Sequence, residues 1–104
     1  MNRGEIRWYK FKPPDKKRPV LILTRNSVIP YLGEVSIAPI TTTVRDIPSE
    51  VNLSALDGMS KDCAINFDHI QTVSKSKIGS KITFLPQEKL RQVGKAIRFA
   101  LELE

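Results

Sequence analysis

Arg18-Pro19-Val20-Leu21-Ile22-Leu23-Thr24-Arg25 is the stretch whose reading decides the fold. The apolar run from Val20 to Leu23 lacks the in-and-out alternation of a half-exposed strand, so it predicts a strand buried on both faces at the centre of a sheet. Pro19 biases Arg18 toward the extended region, which places a cation where a loop becomes a buried strand. Upstream, Glu5 to Phe11 has strand character with Ile6 and Trp8 on one face. Its alternation slips at Tyr9 and Phe11, as a bulge or strong twist would produce. Lys12 to Lys17, which contains Pro13-Pro14-Asp15, reads as a short basic loop.

Downstream, Pro30 to Gly33 forms a turn, and Glu34 to Ala38 forms a strand expected to stop at Pro39, which has no N–H to give a ladder. Thr41 to Pro48 is a polar loop, and Ser49 to Leu53 alternates around Val51 and Leu53. After an Asp57-Gly58 turn come three short strands, Cys63 to Phe67, Gln71 to Val73 and Lys81 to Leu85. Only the tail is helical, from about Pro86, with Leu90, Val93, Ile97 and Leu101 at helical spacing. Six or seven short strands followed by one helix predict a mainly β fold, a small, strongly bent barrel with the helix packed outside.

The 104 residues amount to one domain, and 40% apolar content is enough for a single real core. Cys63 is the only cysteine, which excludes an intramolecular disulfide and a multi-cysteine metal site and suggests a reducing, cytoplasmic setting. Arg3, Glu5 and Arg7 stand where a signal peptide would be apolar, and no run has membrane-spanning length, so no membrane association is expected.

The net charge is +6, unevenly spread. Residues 1–18 hold seven Lys/Arg and two acids, residues 19–74 three and six, and residues 75–104 seven and three. Two basic ends around a slightly acidic middle suggest a positive face for a polyanion, although the same charge also serves solubility. Arg91, Lys95 and Arg98 share a helix face and admit the same two readings.

Arg18 is the best-placed candidate for acid chemistry or phosphate binding, the alternative being a strand-end arginine that is solvated or paired with a carboxylate. Thr41-Thr42-Thr43 offers hydroxyls and backbone N–H groups after a strand, though threonine runs are also good strand formers. Asp68-His69 sits between two short strands as a carboxylate beside an imidazole. Asp57, Asp62 and Asp68 lack metal-ligand spacing and Cys63 lacks a base, so neither metal nor thiol chemistry is expected and no cofactor is implied. Trp8, Tyr9, Phe11 and Tyr31 are candidates for base stacking or for the core.

The ordered set Arg3-Gly4-Glu5-Ile6, Arg18-Pro19-Val20-Leu21-Ile22-Leu23, Ala38-Pro39-Ile40-Thr41-Thr42-Thr43, Pro48-Ser49-Glu50-Val51, Asp57-Gly58 and Asp68-His69-Ile70-Gln71-Thr72-Val73 resembles the MazF/PemK family of toxin endoribonucleases. The resemblance runs from residue 3 to about residue 101. It implies an SH3-like barrel of the CcdB/PemK/MazF type with a C-terminal helix, acting as a cytoplasmic homodimer with an antitoxin partner that carries an acidic segment. The implied activity is metal-independent, sequence-selective cleavage of single-stranded RNA, in which the 2′-hydroxyl attacks to leave a cyclic phosphate and a 5′-hydroxyl. In the family the Arg-Pro-Val arginine is the general acid/base and the first Thr after the following strand supports the phosphate, which maps onto Arg18 and Thr41. Lys16, Lys17, Thr42, Thr43, Arg45, Asp68 and His69 are the candidates for RNA contact. The chain departs from many relatives in its short Lys12–Lys17 loop, and it has Asn66 where the plasmid branch has an arginine. A non-catalytic relative that binds nucleic acid or a protein such as gyrase is the alternative.

Overall fold

In a computed structural model describing residues 1–13 and 16–104, Val20, Leu21 and Ile22 are all fully buried. Pro14 and Asp15, inside the predicted basic loop, lie outside the described residues. The seven strands are β1 Glu5–Lys10, β2 Lys17–Ile22, β3 Glu34–Thr41, β4 Glu50–Leu53, β5 Cys63–Asn66, β6 Gln71–Ser74 and β7 Ile78–Phe84, followed by helix α1 Gln87–Ala100. Short 3-10 turns occupy Ile29–Tyr31, Ala55–Asp57, Phe67–His69 and Lys75–Lys77. No helix among the described residues is long and apolar enough to cross a membrane.

The strands pair antiparallel in the order β4-β5-β3-β2-β1-β7, with β6 also on β3. β2 therefore stands inside the sheet, and its alternate residues feed two cores. Leu21 joins Ile6, Ala38, Ile65, Phe67 and the helix residues Val93 and Ala96, whereas Val20 and Ile22 join Ile29, Val35, Ile37 and Val73 on the other face. That is the physical reason the run has no polar positions to alternate with.

The fold is mainly antiparallel β with one C-terminal helix, as expected, but the sheet is open. β4 and β7 do not pair with each other in the described residues, and the molecule is barrel-like only loosely. Helix α1 packs on β4, where Lys89 Nζ donates to the Asn52 carbonyl at 2.8 Å.

Most boundaries differ from the sequence reading by a residue, and the departures at β3, at the start of β7 and at the helix end are those with a physical reason on view. β3 continues through Pro39 to Thr41 because it changes neighbour there, pairing with β6 over Glu34–Ile37 and with β5 over Ile40–Thr41. No ladder position on that side needs the missing N–H. β7 starts at Ile78 rather than Lys81, since Gly79 and Ser80 have weak strand preference but the Gly79 carbonyl accepts from Arg7 Nε at 2.9 Å. Leu101 caps the helix and is exposed instead of entering the core, while Leu90 and Ile97 pack against it. The slip expected at Tyr9 and Phe11 is not where the irregularity lies: both rings pack against the second core on the opposite face from Ile6, and the register shifts fall between Ile6 and Tyr9 against β7.

Candidate active site

Arg18 is the second residue of β2, exposed and opposite Tyr9 on β1. β2 and β3 pair as Ile22↔Ile37, Leu21↔Ala38 and Val20↔Pro39. Arg18 lies two residues before Val20 and Thr41 two residues after Pro39, the last pair of that ladder, and Thr41 itself pairs with Ala64 of β5. Side chains two apart on a strand share a face, so both belong to the face of Val20, Ile22 and Ile37. Lys17 takes the opposite face, where its Nζ lies 5.3 Å from the Trp8 ring centroid, a cation–π distance. Lys16 is exposed in the segment just before β2.

Thr41 is half-buried, and its Oγ1 accepts the Thr43 N–H at 3.1 Å. This bond bends the chain out of the strand and uses the Thr43 backbone donor. The hydroxyl keeps its own hydrogen, free to rotate toward a ligand oxygen. Thr42 and Thr43 are exposed beyond it.

The loop that follows is tied down from β4. Arg45 N–H donates to Glu50 Oε1 at 3.1 Å and its Nη1 lies 3.4 Å from Oε2. One residue on, Asn52 Nδ2 donates to Asp46 Oδ1 at 2.8 Å, and Asp46 holds a left-handed φ of 54°. The Glu50 side chain is 0% exposed, whereas that of Arg45 is 54% exposed. Arg45 is thus an anchor of the loop, with one face of its guanidinium left to solvent.

Asp68 and His69 lie in the exposed 3-10 turn after β5, which packs against β3. Asp68 Oδ2 accepts from Ser49 Oγ at 2.6 Å, the buried Asn66 accepts the Asp68 N–H at 2.9 Å, and Asn66 Nδ2 is 3.5 Å from His69 Nδ1. Sequence reading missed Glu50 and Asn66. Glu50 stands at an outward position of an alternating strand, and its burial comes from the loop folding over it. Asn66 precedes a turn whose N–H it caps, the one signal that sequence offered.

The pKa shifts belong to groups other than the candidate site residues. Burial pushes the Glu5 carboxyl up, but the hydrogen bonds from Arg7 and the Asn2 backbone, with the charges of Arg7 and the amino terminus, outweigh it and hold it below the ordinary value. Burial, then the charges of Asp57 and Asp62, push the Cys63 thiol up, the opposite of nucleophilic activation.

Residues 2–101 match the family model described as PemK-like, MazF-like toxin of type II toxin–antitoxin systems. The chain is 40% identical over 90 residues to the endoribonuclease MazF3 of Mycobacterium tuberculosis, covering 86% of this chain and 87% of that protein. The solved Mycobacterium tuberculosis toxin MazF-mt6 superposes with a TM-score of 0.89 at 37% identity, over 96% of this chain and 98% of its own. A mycobacterial endoribonuclease solved with its cognate antitoxin shares the fold, with a TM-score of 0.88 at 24% identity over 100% and 97% of the two chains. With the family match spanning residues 2–101 and a relative 40% identical over most of both chains, the chain belongs to the PemK-like, MazF-like toxin family of type II toxin–antitoxin systems.

Proposed function

We propose that this chain is a sequence-selective endoribonuclease that cleaves single-stranded RNA without a metal ion. The observation that supports the reading is that Arg18 and Thr41 stand on neighbouring strands, each two residues beyond the Val20↔Pro39 pair and by alternation on the same sheet face. A guanidinium offers several N–H donors and a hydroxyl offers one, so two such groups on one sheet face can hold one phosphate between them.

The 2′-oxygen attacks phosphorus and loses its proton to solvent, and the bond to the 5′-oxygen breaks. Arg18 spreads its charge over the phosphate oxygens and donates a proton to the departing 5′-oxygen, then regains one from water. Thr41 donates to a non-bridging oxygen. The products are a 2′,3′-cyclic phosphate and a 5′-hydroxyl, and DNA is no substrate because it has no 2′-OH. Thr42, Thr43, Arg45, Lys16, Lys17, Asp68 and His69 are the proposed RNA-contact set around this centre, with Lys17 reaching the strand from the opposite face.

A homodimer in the cytoplasm, held inactive by an antitoxin whose acidic segment covers the positive surface, completes the reading. Light scattering on the active protein is expected to give a dimer. Incubation with a long single-stranded RNA in EDTA is expected to give discrete cuts with 5′-hydroxyl ends. Arg18→Ala is expected to slow cleavage by roughly 10²- to 10⁴-fold with the fold intact. Intact RNA bound stoichiometrically would turn the reading to a non-catalytic binding module.

A further inference from the structure

Tyr9 is the residue paired with Arg18, so its side chain shares that face and is the immediate cross-strand neighbour. Tyr9 meets Phe11 edge to face, with centroids 4.7 Å apart and an interplanar angle of 78°. Both rings are half-buried, and both pack against the second core. Core filling accounts for only part of each ring. The rest borders a hollow of about 560 Å³ whose far wall is β6, with Gln71 and Val73. A smaller hollow of about 430 Å³ continues along the same aromatic pair.

The charges bordering the hollow separate base from backbone. Lys12 and Lys77 line it and attract a phosphodiester strand. Glu34, the first residue of β3, also borders it, and its negative charge nearby disfavours a phosphate there. A neutral, flat group satisfies both: the phosphates stay with the lysines and Arg18, and a base goes in against the rings. Gln71, both donor and acceptor, stands at the wall to meet a base edge.

We propose that this hollow receives one nucleobase of the single-stranded RNA, the base next to the cleaved phosphate, against the Tyr9–Phe11 pair. The inference rests on the reading of Arg18 as the phosphate-binding residue and adds a place where the substrate is selected. A base seated beside Tyr9 leaves its own phosphate beside Arg18, so base binding and bond cleavage are tied through one β1–β2 pair.

The test uses a decamer spanning a mapped cut, 2′-O-methylated throughout so that it binds without reacting, with 2-aminopurine moved along it. Wild-type protein is expected to quench one position next to the cut. Tyr9→Leu keeps apolar volume but removes the flat ring, and it is expected to abolish that quench and weaken binding by about 5- to 150-fold. An abasic residue at the same position is expected to weaken wild type by a similar factor and Tyr9→Leu hardly further. In cleavage, kcat/KM of Tyr9→Leu is expected to fall by a similar factor. Gln71→Ala, at an exposed side chain, serves as a second probe if Tyr9→Leu fails to fold, and it is expected to reduce the same abasic penalty. Variants that bind and quench like wild type, or an abasic penalty that survives them in full, would overturn the proposal. If wild type cuts no RNA, the nuclease reading fails by itself. The four 2′-O-methyl homopolymer decamers, each carrying one central 2-aminopurine, then test the hollow alone, and absence of binding and quenching in all four overturns it too.

Discussion

At the scale of single residues, the charged and polar groups divide between the proposed chemistry and the frame. Thr41→Val keeps the strand shape and removes the hydroxyl, so the proposed phosphate contact is lost along with the turn bond that Oγ1 accepts from Thr43 N–H. One hydrogen bond to a charged group is worth about 1.5–3 kcal/mol, so cleavage is expected to slow by roughly 10- to 150-fold, less than for Arg18→Ala. Steady-state kinetics on one mapped RNA compares the two. Glu5 belongs to the frame, with Arg7 Nη1 at 2.7 Å from its Oε1. Its carboxyl is held below the ordinary value in the folded protein, so its contribution is present above about pH 4.3, the unfolded value, and is lost as pH falls through the folded pKa. Urea unfolding at pH 7 and pH 3 is expected to show a smaller acid loss in Glu5→Gln than in wild type. Cys63, 3% exposed and with its thiol pKa raised, is expected to resist a disulfide reagent in the native protein and to react once urea unfolds it.

At the scale of elements, β4 holds the loop that carries the threonines. Glu50 and Asn52 fix consecutive loop residues, Arg45 and Asp46, so β4 dictates the path of a segment with no ladder of its own. Glu50→Ala leaves the Arg45 N–H without this acceptor, and a loss of about 1–3 kcal/mol is expected, read by urea unfolding. Faster proteolysis between Thr42 and Pro48 should accompany it. A variant as stable and as protease-resistant as wild type would show that the clamp is dispensable. The Asp57-Gly58 turn tests the loop against β7. Gly58 has φ +92°, and a Cβ there would stand 2.6 Å from Thr83 Oγ1. Gly58→Ala adds backbone strain to that clash, and a loss of about 2 kcal/mol or more is expected in the same assay. The turn itself was legible from the sequence as Asp-Gly. The clamp was not, because alternation assigns Glu50 outward and only the returning loop buries it.

At the scale of the whole molecule, β2 divides two cores, so its residues answer to different sides of the sheet. Leu21→Ala opens the core shared with the helix and Val20→Ala the core shared with β6. A loss of about 2–5 kcal/mol is expected for Leu21→Ala, against a total of roughly 5–15 kcal/mol, measured by urea unfolding. By itself the sequence determined the central strand, the turns, the terminal helix and the order of motifs that marks the family. Each is local, written in a run of apolar residues, a proline, an Asp-Gly pair or a helical period. The tertiary structure alone decided that the sheet stays open, that Pro39 lies inside β3, that Glu50 is buried and that Arg18 pairs with Tyr9. Each of these depends on which strands become neighbours and in what register, and register is a relation between distant residues that no local pattern encodes.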